Sequence, residues 1–149
     1  MHRLLLLFAA IMLASCADMT RENTVLVLRY YAAINGGDTT AVETMISPTF
    51  TKHNNESTVK DTGPELFRQS VRMHQLNNTT YNFAVGDILA EGDKVAVRWT
   101  WNSVNRKFGE DKPVNIPGIA IFQVDDGLIS ELWQTFDMAS YNRQLGLAE

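Results

Sequence analysis

Four stretches of the second half of the chain, Tyr81–Ala90, Lys94–Val104, Val114–Val124 and Leu128–Phe136, are each dense in β-branched and aromatic residues. Such side chains suit a pleated, half-buried surface, so the pattern predicts four strands. Glu91-Gly92-Asp93 and Asp125-Asp126-Gly127 are tight-turn sequences that fold two of the junctions back as hairpins. A sheet of this size must bury at least one face, and the first half of the chain supplies helices to cover it.

Those helices have readable ends. Asn23 is placed to cap a helix running to about Asn35, with Leu26, Tyr30, Ala33 and Ile34 on one stripe and Gly36-Gly37 as the stop. Asp38 is placed to cap a second, short helix carrying Val42, Met45 and Ile46 inward, ended by Pro48. Thr49 to His53 reads as a short extended piece and Asn54 to Thr62 as a loop. A third helix begins at Gly63-Pro64, where proline's missing N–H costs nothing, and runs to about His74. A last helix spans about Ala139 to Leu145. Helices followed by an antiparallel meander define an α+β fold.

The first residues have a separate logic. Met1-His2-Arg3 is a short positive start, and Leu4 to Leu13 carries no charge. This run is too short to span a bilayer and has the shape of an export signal. Leu13-Ala14-Ser15-Cys16, with the only cysteine of the chain, resembles the lipobox of bacterial lipoproteins, cleaved just before the thiol. The division is then a signal peptide over 1–15, a tether over 16–22 and one domain over 23–149. The resemblance implies lipidation of Cys16, membrane attachment through the lipid, and a bacterial envelope location facing the periplasm or the outside. Two or more acyl chains are needed for firm attachment.

The whole chain has 13 Lys and Arg against 17 Asp and Glu, a formal net charge of −4. No basic stripe is present, which argues against a nucleic-acid partner. The histidines lack the spaced carboxylates or thiolates of a metal site. No glycine-rich phosphate loop or Ser/His/Asp arrangement appears.

The strands alternate, yet both faces are fairly apolar. Val95, Val97, Trp99 and Trp101 share one face of the second strand. In the last strand, Ile129, Glu131, Trp133, Thr135 and Asp137 oppose Leu128, Ser130, Leu132, Gln134 and Phe136. One face covers the helices, and the other is available to a second subunit.

Read in order, Tyr30 to Asp38, His53-Asn54-Asn55, Gly63-Pro64-Glu65, Glu91 to Trp99, Gly118 to Asp137 and Gln144-Leu145-Gly146 resemble the SnoaL-like polyketide cyclase group of the nuclear transport factor 2-like superfamily. The resemblance implies a cone: a curved antiparallel sheet wrapped around N-terminal helices, with an internal pocket. It also implies a homodimer through the outer sheet face and cofactor-free chemistry. By that resemblance Asp137 is the acid–base residue of an intramolecular aldol closure, and Gln123 stands where the prototype cyclase has a pocket histidine. Glutamine orients a carbonyl but exchanges no proton. His53 stands where the family often has a histidine near the cone's mouth.

Each candidate has a structural alternative. Asp137 is also placed to cap the last helix. His53 also fits a loop edge, and His74 fits a helix C-terminus as a dipole partner. Trp99, Trp101, Trp133, Phe122 and Tyr30 suit either core packing or the wall of a pocket for a small apolar or aromatic molecule. Two functions follow: a cofactor-free cyclase or isomerase, or a non-catalytic binding lipoprotein.

Overall fold

The computed structural model describes residues 2–55, 57–58, 62–107 and 110–147, with side chains from residue 19 onward except at 57 and 58. Cys16, and the lipoprotein signal expected around it, lie outside the described side chains. Helix α1 (His2–Gly36) leads into a 3-10 turn (Val42–Thr44), then β1 (Ile46–Asn54), β2 (Ser57–Thr58), α2 (Pro64–Asn77), β3 (Asn78–Glu91), β4 (Lys94–Asn105), β5 (Lys112–Asp125), β6 (Leu128–Phe136) and α3 (Met138–Leu145). The strands form one curved, unclosed sheet in the order β2-β1-β6-β5-β4-β3. Among the described residues no helix is long and apolar enough to cross a membrane.

Strands β3 to β6 are the antiparallel meander that the turn sequences predict. Strand β1 pairs parallel to β6, which makes the sheet mixed. The second helix expected from Asp38 to Pro48 is reduced to the 3-10 turn Val42–Thr44, although Val42, Met45 and Ile46 are buried as expected. Asp38 instead folds an Asx turn, its carboxylate accepting from the Thr40 N–H at 2.8 Å and the Thr40 hydroxyl at 2.7 Å. The chain is extended from Ile46 because the Ile129 N–H donates to the Met45 carbonyl at 2.8 Å, and Ile46 is buried against the sheet. Pro48 lies in the irregular stretch of β1 between Ile46 and Thr51, where no ladder bond is asked of it.

Asn23 is likewise not a cap. Helix α1 passes through it, and its amide donates to the Gly92 carbonyl of the β3–β4 turn at 3.0 Å. At the other end of the helix Gly37 adopts φ 67°, and the Asp38 N–H closes on the Ala33 carbonyl at 2.8 Å. Asn35 then ties α1 to the sheet edge. Its amide donates to the Phe83 carbonyl at 2.9 Å, and its oxygen accepts from the Phe83 N–H at 2.7 Å. This satisfies backbone groups of β3, which is an edge strand.

The core lies on the concave face. Val95, Val97, Trp99 and Trp101 of β4, and Ile116, Ala120 and Phe122 of β5, are buried against Val27, Tyr30, Tyr31 and Ile34 of α1 and Phe67 and Val71 of α2. Burial of each such aliphatic or aromatic side chain contributes about 1.5–3 kcal/mol.

One register feature decides what faces the core. A bulge lets Gln123 pair Glu131 while Val124 pairs Ile129, so Ser130 is an extra residue. Ile129 and Leu132 are therefore both buried, three positions apart. The strict alternation expected for β6, which groups Ile129 with Trp133 and Asp137, breaks at this point.

Candidate functional site

Between α1, α2 and the concave face lies a cavity of about 290 Å³. Its apolar wall includes Tyr30, Tyr31, Phe83, Trp99, Trp101 and Phe136. These rings pack edge to face or tilted: Phe83 and Trp101 have centroids 4.5 Å apart, and Phe83 and Trp99 lie 5.1 Å apart. Gly118 faces Trp99 across the β4–β5 ladder, and a Cβ there would meet the indole at 2.4 Å. Glycine is what allows the indole to lie against β5. The buried Trp99 Nε1 has no hydrogen-bond partner among the described residues.

Polar groups enter the cavity at defined places. Lys52, Asn54, His74, Asn78, Asn105 and Gln134 line it. Phe50 is buried in the core, so the period of two along β1 turns Phe50, Lys52 and Asn54 inward together. Asn54 and Gln134 are ladder partners on β1 and β6, and the Gln134 amide donates to the Asn54 oxygen at 2.8 Å. His74 sits in the last turn of α2, its ring 4.6 Å from Trp101. Asn78 donates to the His74 carbonyl at 2.8 Å and accepts from the buried Asn105 amide at 3.4 Å.

Lys52 is the only Lys, Arg, Asp or Glu among the described residues lining the cavity. No carboxylate among them forms an ion pair with it. Burial in this setting pulls its ammonium down to about 8. His74 is pushed down to about 4, first by burial and then by the Lys52 charge, so its imidazole is neutral at neutral pH. Burial pushes the Tyr30 and Tyr31 phenols up, so both remain protonated. The cavity thus pairs a poised amine and a neutral imidazole with amide and phenol donors, all inside an aromatic shell.

The residues expected from sequence divide sharply. Tyr30, Trp99 and Trp101 line the cavity. Phe122 does not; it is fully buried, with Tyr30 5.1 Å away and Tyr31 5.7 Å away, and supports them from within the core. Trp133 lies on the opposite face of the sheet, stacked on His53 at 5.4 Å with ring planes 7° apart, and Lys94 sits 5.6 Å from its ring. His53 is therefore outside the cavity, with Glu131 at 4.0 Å.

Gln123 is also on the outer face. It accepts from Lys94 at 2.6 Å and donates to Asp93 at 2.6 Å. Asp137 is the N-cap of α3: its carboxylate accepts from the Ser140 N–H at 2.8 Å, has Arg143 at 4.0 Å, and is 54% exposed. The structure does not bring Asp137, His53 and Gln123 together, and none of the three reaches the cavity. Arg98 pairs with Asp87 at 2.8 Å.

Sequence reasoning missed Lys52, Asn54 and Gln134, and it placed His74 at a helix end without its cavity. One local signal pointed to Lys52: it lies two residues after Phe50, so burying one turns the other inward.

Comparison with known proteins agrees with this architecture. A family described as SnoaL-like polyketide cyclase matches residues 24–145. The fold is similar to a candidate polyketide cyclase from Bacillus cereus, with a TM-score of 0.74 and 24% identity over 86% of this chain and 83% of that one. It is also similar to a candidate SnoaL-like polyketide cyclase from a Jannaschia species, with a TM-score of 0.75 and 17% identity over 88% and 96%. A candidate hydroxylase from Streptomyces galilaeus has a TM-score of 0.74 and 21% identity over 87% and 88%. No curated protein matches the sequence.

Proposed function

The chain belongs to the SnoaL-like polyketide cyclase family, and from that premise we propose that it catalyses cofactor-free proton transfer on a planar, carbonyl-bearing small molecule held in its aromatic cavity. The observation that carries this reading is that Lys52 and His74 share the cavity while no carboxylate among the described residues lines it. An amine titrating near 8 is matched to moving a proton beside a carbonyl at neutral pH. The neutral imidazole of His74 accepts or relays that proton. The Asn54–Gln134 pair and the tyrosine phenols offer hydrogen bonds to the oxygen on which negative charge develops. Lys52 thus takes the role that the family resemblance gave to Asp137.

Lys52, the one charged side chain among the described residues lining the cavity, also favours a second reading, a binding module for an acidic aromatic compound, with Lys52 as counter-charge. Incubating the protein with aromatic ketones and 1,3-dicarbonyls in D2O separates the two. Enzymatic chemistry exchanges the α-protons, read by NMR, and loses this about 10²–10⁴-fold in Lys52→Met. Binding without exchange supports the module, and neither binding nor exchange overturns both.

The proposal extends to the setting. The lipobox-like Leu13-Ala14-Ser15-Cys16 supports lipid anchoring at Cys16 in a bacterial envelope. Ile119 and Ile121, 53% and 41% exposed beside Trp133, support homodimerisation through the outer face. Sedimentation of a purely monomeric species at micromolar concentration would count against the dimer.

A further inference from the structure

We propose that Lys52 acts as an amine nucleophile, condensing with a ligand ketone or aldehyde to form an imine inside the cavity. The inference rests on the proton-transfer reading above and deepens it by making the bond between enzyme and ligand covalent. Its basis is the setting of one side chain. A lysine on a sheet ordinarily reaches solvent or pairs with a carboxylate. Lys52 does neither. It points from β1 into the cavity, and no hydrogen bond or ion pair holds its Nζ among the described residues.

An unpaired ammonium costs free energy in such a place, whereas a neutral amine does not. The same surroundings therefore hold a usable fraction of Lys52 as the free amine near neutral pH. The aromatic wall of Phe83, Trp99 and Trp101 limits water around the reacting carbon. His74, whose charged form is disfavoured partly by Lys52 itself, is the neighbouring group able to take up a proton.

The step balances without an added reagent. The Nζ lone pair attacks the carbonyl carbon, and the C=O π electrons move to oxygen, which takes a proton. The nitrogen loses a proton, and the hydroxyl of the resulting carbinolamine takes up one further proton from solvent and leaves as water, giving a protonated C=N bond; that proton is released again when the iminium is hydrolysed. Loss of an α-proton to His74 gives an enamine. The enamine carbon attacks a second carbonyl of the same molecule, forming the new C–C bond and placing a proton on the new alkoxide. Water then adds to the iminium carbon and returns the amine. One water leaves and one returns, and nothing is oxidised or reduced. The ligand class follows: a compound with two carbonyls on an apolar or aromatic frame, spaced as in a 1,5-dicarbonyl so that the new C–C bond closes an unstrained ring.

The test uses 2,4-pentanedione, a small 1,3-diketone that condenses with unprotonated lysine to a conjugated enaminone, read by near-ultraviolet absorbance and peptide mass mapping on the full chain at pH 7. The expected result is an adduct at Lys52 forming at least about tenfold faster than at Lys94, Lys107 or Lys112, because burial in the cavity holds the Lys52 amine below the ordinary lysine range. Lys52→Arg, which keeps the charge and removes the nucleophile, abolishes that fast phase, and circular dichroism shows that it is folded. Equal labelling of all lysines, or none at Lys52, overturns the imine. If α-proton exchange in D2O still depends on Lys52 when no adduct forms, the proton-transfer reading stands and only the covalent step falls. If exchange is absent as well, both fall.

Discussion

Lys52 and His53 are consecutive in β1 and face opposite sides of the sheet: Lys52 lines the cavity, and His53 stacks on Trp133 outside it. The ladder pairs of β1 with β6 set this arrangement, with Lys52 opposite Leu132 in the core and His53 opposite Trp133. One residue of slip would exchange them, since the side-chain period of a strand is two.

That separation predicts unequal mutations. Lys52→Met should abolish binding of an anionic aromatic ligand while leaving the melting temperature unchanged or raised, because it removes an unpaired ammonium from apolar surroundings. His53→Ala should leave ligand affinity within about twofold, since its ring touches only the outer face. Titration calorimetry with an aromatic carboxylate reads both, and a larger loss in His53→Ala than in Lys52→Met would refute the assignment of faces.

Asp137 should behave as a helix cap. Asp137→Asn retains an oxygen for the Ser140 N–H and should cost little, whereas Asp137→Ala should cost on the order of 1 kcal/mol. Neither should alter turnover or ligand affinity. A large activity loss in Asp137→Asn at unchanged stability would restore the carboxylate to the chemistry.

Acid should weaken the fold through His74. Its folded pKa is lowered to about 4 from an ordinary 6.5, so between these values the unfolded chain binds more protons than the folded one. Stability therefore rises with pH from about 4 to about 6.5, by up to about 3 kcal/mol from this group. Denaturant midpoints at a series of pH values should show the rise in the wild type and a flattened one in His74→Gln. The same sign applies to Lys52 between about 8 and 10.5, where its neutral form is the native one.

Gly118→Ala tests the cavity wall. The added Cβ would lie 2.4 Å from the Trp99 ring, so the indole must move. The expected cost is about 1–3 kcal/mol with a shift in tryptophan emission and weakened ligand binding. An unchanged emission spectrum would mean that Trp99 is not held against β5 as described.

Anchoring is tested at Cys16. Wild-type protein should incorporate labelled fatty acid and partition with membranes, and Cys16→Ala should lose both. Labelling that persists in Cys16→Ala would show that the lipobox resemblance misleads.

Much of the fold was legible because its signals are local. The turn sequences at Gly92 and Gly127 and the β-rich runs between them place four strands of the sheet in order, since each residue acts on neighbours within a few positions. Asp137 and Gly146 bracket α3 for the same reason: a side-chain acceptor at one end and a left-handed φ of 72° at the other. The aromatic character of the cavity was also visible, through Tyr30, Trp99 and Trp101. Tertiary structure alone decided which polar residues enter it. Strand β1 finds its partner β6 some 80 positions away, as the Asn54–Gln134 bond records, and no local pattern encodes that pairing. The bulge at Ser130 then sets the phase of β6, turning Gln134 and Phe136 inward and Trp133 outward. A lysine surrounded by threonine, histidine and asparagine reads as a surface charge until that long-range register makes it the only charged side chain described in the cavity wall.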